Sequence, residues 1–101
     1  MTYYIKVSDE AKADFREYIR FILVDCSNAV AAAEHYAGIQ NTIKELRKNP
    51  YVNAVRYEKS LQRYGRDVRR VNFKKMAIIY TVTGNNIYVH RIIAGGIITD
   101  T

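Results

Sequence analysis

One hundred and one residues, with 16 Lys or Arg against 10 Asp or Glu and a formal charge of +6, suffice for one domain with a modest core. No stretch is long and apolar enough for a membrane-spanning helix, and the opening MTYYIKVSDE lacks the basic-then-apolar order of a secretory leader, so neither is expected. The single cysteine, Cys26, cannot close an internal disulfide, which points to a reducing cytoplasm.

Tyr4 to Val7 reads as a short strand with Ile5 and Val7 on one face. Ser8 or Asp9 can cap the helix that follows, and acids in its first turn suit the helix dipole. Ala11, Phe15, Tyr18, Ile19 and Ile22 recur at helical spacing, which predicts an amphipathic helix over 9–24. Asp25-Cys26-Ser27-Asn28 breaks it. Ser27 or Asn28 can cap a second helix over 29–48, whose apolar stripe is Ala29, Ala33, Tyr36, Ile39, Ile43 and Leu46. Lys44, Arg47 and Lys48 complement its C-terminal end, and Asn49-Pro50 stops it. So short a link makes the two helices an antiparallel hairpin. His35 reads as an ordinary helix residue and Cys26 as a small apolar filler.

Residues 51–65 have poor periodicity and read as a basic loop with at most a short strand or a turn of helix. Beyond it, Val68, Arg70 and Asn72 alternate with Arg69, Val71 and Phe73 at strand period. Met76 to Val82 is almost wholly apolar, which predicts a strand internal to the sheet and covered on both faces. Thr83-Gly84-Asn85-Asn86 is a turn signal, and Ile87 to Ile93 is a further strand. The fold class is therefore α+β. A two-helix hairpin packs on one face of a small, mainly antiparallel sheet, in the order β-α-α-β-β-β, within a single domain spanning 1–101.

The charge is concentrated. Residues 55–75 hold eight basic and two acidic residues, while the remainder balances eight against eight. Such a segment suits a polyanion or an acidic partner. No His/Cys set has metal-ligand spacing and no glycine-rich phosphate loop precedes a helix, so neither metal nor cofactor is expected. Metal-free RNA cleavage needs a base for the 2′-hydroxyl, an acid for the leaving oxygen and cations for the transition state. The residues available for it are Arg66, Arg69, Arg70, Lys74, Lys75, Tyr80, Tyr88, His90 and Arg91. Period two puts Tyr88 and His90 on one face and Arg91 on the other. His90 alone has an ordinary pKa suited to proton transfer near neutrality, yet its strand position reads as packed. Arginines hold phosphate but carry protons poorly.

Strand, helix hairpin, basic loop and meander, in a basic chain of this length, resemble the RelE/ParE superfamily of bacterial toxins. The resemblance covers essentially the whole chain. It is carried by Tyr4-Ile5-Lys6-Val7-Ser8 with Ala11 and Asp14-Phe15, by Asn49-Pro50, by Gly65 to Arg69 before Val71, by Ile78-Ile79-Tyr80 and by Arg91-Ile92-Ile93. It implies the toxin half of a type II toxin–antitoxin pair, of the plasmid-stabilisation kind, neutralised by a small antitoxin. That partner is expected to bring acidic residues to Arg56, Arg63, Arg66, Arg69 and Arg70, and apolar ones to a groove over the helices or sheet. An exposed groove leaves room for a homodimer when the toxin is free.

The superfamily divides by target. RelE-like members cut mRNA on the translating ribosome, and ParE-like members block DNA gyrase. Ala77 stands where the family often has an arginine. Ala94-Gly95-Gly96-Ile97 stands where further cations commonly follow the last strand. These departures favour the ParE-like reading. The alternatives are a RelE-like nuclease, with Arg69, Lys74, Lys75, His90 and Arg91 as its catalytic candidates, and a basic binding module without toxicity.

Overall fold

The computed structural model describes residues 2–100. Strand β1 (Tyr4–Val7) leads into helix α1 (Asp9–Arg20), and helix α2 (Ala29–Glu45) returns against it. Strands β2 (Arg69–Phe73), β3 (Met76–Thr83) and β4 (Asn86–Ala94) then form the meander. The sheet order is β1-β4-β3-β2. β3 is internal, as the apolar run predicts, and residues Met76 to Thr81 along it are buried.

The first strand departs from the expected antiparallel arrangement. β1 lies parallel to β4, with Tyr4 opposite Asn86 and Val7 opposite Val89. The hairpin between them is the crossover that a parallel pair requires. The sheet is thus mixed, with three antiparallel strands and one parallel edge.

Both helices start as their sequences predict. The Ser8 hydroxyl accepts from the Ala11 amide at 3.0 Å, and Asn28 Oδ1 accepts from the Ala31 amide at 3.0 Å. The end of the first helix differs. α-Helical bonding stops at Arg20, and Phe21–Asp25 continues as a π-turn closed by the Cys26 amide on the Phe21 carbonyl at 3.0 Å. The wider turn rotates the chain, so Phe21, Leu23 and Val24 are exposed at the hairpin tip while Ile22 is buried. Cys26 is also exposed there, so it is not the core filler its composition suggested. Ser27, at φ 48°, completes the reversal.

The helices cover one face of the sheet, here the inner face. Ala11, Ile39, Leu46, Met76, Ile78, Tyr80, Ile87, Val89 and Ile92 form its core. Gly38 lets α2 approach β2: a Cβ there would collide with the Phe73 ring. The outer face has a smaller core of Leu61, Val68, Ala77 and Ile79, with Tyr64, Ile93 and Ile98 packed against it. Its cover is a 3-10 turn over Lys59–Tyr64, preceded by a single bridge from Val55 to Arg69. The loop reading of 51–65 holds, with that turn as its ordered part.

Candidate functional site

Two regions of the surface bear on function. The first is an apolar cleft of about 790 Å³ where α1 and α2 diverge over β1. Val7, Ala11, Phe15, Ile43 and Ile92 form its walls, and Lys12 and Lys44 stand among the lining residues with no acidic side chain between them. Apolar spacing on the two helices produces the walls, and the short α1–α2 contact leaves them uncovered.

The second is the cluster at the bulge in β4. Ile79 pairs with Arg91 but Tyr80 pairs with Val89, so one extra residue is accommodated at His90. The bulge changes the parity of the strand. Val89 and Ile92 both face the inner core, and Arg91 comes to the Tyr64 side together with His90. This overturns the expectation that Arg91 points away from His90.

His90 is half-buried. Its Nε2 lies 2.8 Å from Thr81 Oγ1, and its ring stacks on Tyr64 with centroids 5.5 Å apart. Burial holds its pKa below the ordinary histidine value. Arg91 donates from Nε and Nη2 to the two carboxylate oxygens of Asp14, at 2.7 and 3.0 Å. That hydrogen-bonded pairing holds its pKa above the ordinary arginine value. Asp14 Oδ2 also accepts from the Ile92 amide at 2.9 Å. A single carboxylate therefore caps the edge of β4 where β1 has ended and locks α1 to the sheet. Glu10, 3.6 Å from Arg91, adds to the same charge cluster.

The remaining predicted residues separate into engaged and free groups. Arg69 donates to the carbonyls of Tyr51 and Asn53 and lies over the Tyr51 ring, pinning the loop after α2. Tyr80 is fully buried and its hydroxyl donates to the Pro50 carbonyl at 2.7 Å. Burial raises its pKa, so it is no ready proton donor. Arg56 is paired with Glu58, whose pKa the hydrogen-bonded guanidinium lowers. Arg63 bonds the Tyr64 hydroxyl at 2.7 Å, and Arg70 bonds Asn72 Oδ1 at 2.8 Å. Arg66, Lys74 and Lys75 are exposed and make no ion pair among the described residues, Lys74 lying over the Phe73 ring at 5.6 Å; Tyr88 is half-buried on β4. The structure thus brings His90 and Arg91 together but leaves Arg69, Lys74 and Lys75 elsewhere on the sheet. Asp14 and Tyr64, which organise the cluster, were not among the predicted residues. The short strand β1 followed by an acid on the facing turn of α1 was the available signal for Asp14.

Among the described residues no group of His, Cys, Asp and Glu could hold a metal ion, and no helix is long and apolar enough to cross a membrane.

A helix hairpin on a mixed four-stranded sheet, with a basic meander and an uncovered cleft, defines a small α+β toxin fold of the RelE/ParE kind. The model of the ParE toxin of the type II toxin–antitoxin system, parDE, matches residues 5–97, and the chain belongs to that family. Among solved structures, it superposes on a chain from the chromosomal ParDE TA system from P. aeruginosa with a TM-score of 0.71. The two are 18% identical over 92% of this chain and 96% of that one, a likeness of fold. A comparison with curated protein sequences gives no match.

Proposed function

We propose that this toxin-family chain inhibits DNA gyrase by binding it, and that a cognate antitoxin neutralises it by filling the cleft between α1 and α2. The observation that carries the first half is the engagement of the groups able to move protons. His90 is stacked and hydrogen-bonded, Tyr80 is buried, and Arg91 is locked to Asp14. A ribonuclease needs a base and an acid within hydrogen-bond reach of the substrate. Inhibition by binding needs neither. Membership of the ParE family supports the same choice.

The cleft supports the second half. Its apolar walls suit the apolar side of an extended or helical segment, and Lys12 and Lys44 suit acids flanking that segment. The test runs two assays on the same purified protein. Gyrase supercoiling is expected to fall while a defined message on translating ribosomes stays intact. Codon-phased cuts that disappear when Arg69, Lys74 or His90 is replaced would establish the ribonuclease instead. For the antitoxin, Lys12→Glu combined with Lys44→Glu is expected to slow association about tenfold, with the melting temperature unchanged. An unaltered association rate would place the partner elsewhere.

A further inference from the structure

The structure sorts the basic segment in a way that its composition does not reveal. Of its eight cations, Arg56 is paired with Glu58 and Arg69 is turned onto loop carbonyls. The other six, Lys59, Arg63, Arg66, Arg70, Lys74 and Lys75, make no ion pair among the described residues. They sit around one rim. Arg66 precedes the edge strand β2, Arg70 lies on its outer face beside Gly95, and Lys74 and Lys75 form the turn that ends it. Lys59 and Arg63 stand on the 3-10 turn packed over the same outer face. Of the acids in the segment, Glu58 is bonded to Arg56 and also faces Arg70, and Asp67 is the other, so two carboxylates stand against eight cations there.

We propose that this rim binds duplex nucleic acid through its phosphate backbone. Residues 66–74 span up to about 26 Å at about 3.3 Å per residue. A duplex presents a phosphate charge about every 3.4 Å of axis along each strand, so the row faces several phosphates at once. An acidic protein surface fits less well. Stable protein interfaces centre on desolvated apolar anchors; the large exposed apolar side chains here, Tyr57 and Ile97, stand at the Lys59–Arg63 end, and among the described residues none is exposed along 66–75. A single strand also fits less well, because it needs a free aromatic face for base stacking. Tyr64 has Arg63 over it at 4.9 Å and His90 stacked against it at 5.5 Å, Phe73 has Lys74 over it at 5.6 Å, and the exposed Tyr57 beside the turn is one ring, short of a platform for successive bases. Backbone contact by point charges is what remains, and it carries no sequence preference. This binding is independent of gyrase and is a property of the chain alone.

The test is fluorescence anisotropy of a labelled 20-base-pair DNA duplex with the isolated protein between 50 and 200 mM salt, alongside a single strand of equal length and poly-glutamate. With about six phosphates engaged, affinity for the duplex is expected to fall about a thousandfold over that range. The variant Arg66→Gln/Lys74→Asn/Lys75→Gln changes only exposed positions, and Asn suits the positive φ of Lys74. It is expected to flatten the salt dependence to about fortyfold. Lys59→Gln/Arg63→Gln, on the separate turn, removes two charges and is expected to flatten it to about 150-fold. Lys12→Gln/Lys44→Gln, at the cleft, should leave it unchanged. No duplex binding at 50 mM salt, tighter binding of the single strand or of poly-glutamate, or unchanged salt dependence in both rim variants would overturn the proposal.

Discussion

The two faces of the sheet are held by different means. On the inner face, two helices bury a nine-residue apolar cluster. On the outer face, a single 3-10 turn and the segment after β4 cover four buried residues. That cover is tied down by polar links. The Arg56 amide bonds the Val68 carbonyl at 2.7 Å, the Ser60 amide bonds the Thr99 carbonyl at 3.2 Å, and Gln62 Nε2 bonds the carbonyls of Arg56 and Glu58. Apolar burial is non-directional, so it tolerates the gap where α1 and α2 diverge and leaves a cleft. Hydrogen bonds are directional and hold a short cover in one place. The inner face can therefore keep apolar area available to a partner, while the outer face presents a fixed arrangement of charge.

Asp14 joins the two regimes, because it leaves α1 on the inner side and secures Arg91 beside Tyr64 on the outer side. Its side chain is 15% exposed and that of Arg91 23%. Asp14→Ala removes the partner of a largely buried guanidinium and of an edge amide, and is expected to cost about 3–5 kcal/mol in urea unfolding. A loss under about 1 kcal/mol, as for an exposed ion pair, would mean the faces are independently secured.

Tyr80 sharpens the contrast from the inner side, where its hydroxyl makes polar links at the margin of an apolar layer. Tyr80→Phe leaves the Pro50 carbonyl and the Asn53 amide without their partner and is expected to cost about 1–3 kcal/mol, read from the urea midpoint. No change would show that the loop after α2 is held by Arg69 alone.

The smallest effect comes from His90. Its folded pKa lies below the ordinary value of about 6.5, so the unfolded chain takes up a proton that the folded chain resists. Stability should therefore decline as pH falls below about 6.5 and continue to decline down to the lowered folded value. The drop in urea midpoint between pH 7.5 and 5.5 is expected to shrink in His90→Gln. A drop of equal size in the variant would remove His90 as its source.

Local pattern carried most of the architecture. The apolar run at 76–82, the caps Ser8 and Asn28 and the turn at 83–86 are short-range features, and the strands and both helix starts lie where their residues predict, while the α-helices end at Arg20 and Glu45 instead of at 24 and 48. What escaped depends on distant partners. Parallel pairing of β1 with β4 joins segments some eighty residues apart and leaves no local mark. The bulge at His90 inserts one residue between otherwise regular pairings, so period two assigned Arg91 to the wrong face. Cys26 lies in the break after the first helix, where residue type alone suggested a filler and the reversal of the chain leaves it exposed. Charge density located the basic segment but could not separate Arg56 and Arg69, which secure loops, from Arg66, Lys74 and Lys75, which face water.

The parallel edge has a consequence for biosynthesis. Ser8 donates to the carbonyl of His90, and the whole of β1 rests on residues 86–89. A ribosome adds about 5–20 residues per second, so the first strand waits several seconds for its mate to be made. Through that interval α1 has neither Asp14's target nor the floor of its cleft. The parallel β1–β4 pair therefore closes only after β4 has left the ribosome, however early the helix hairpin forms.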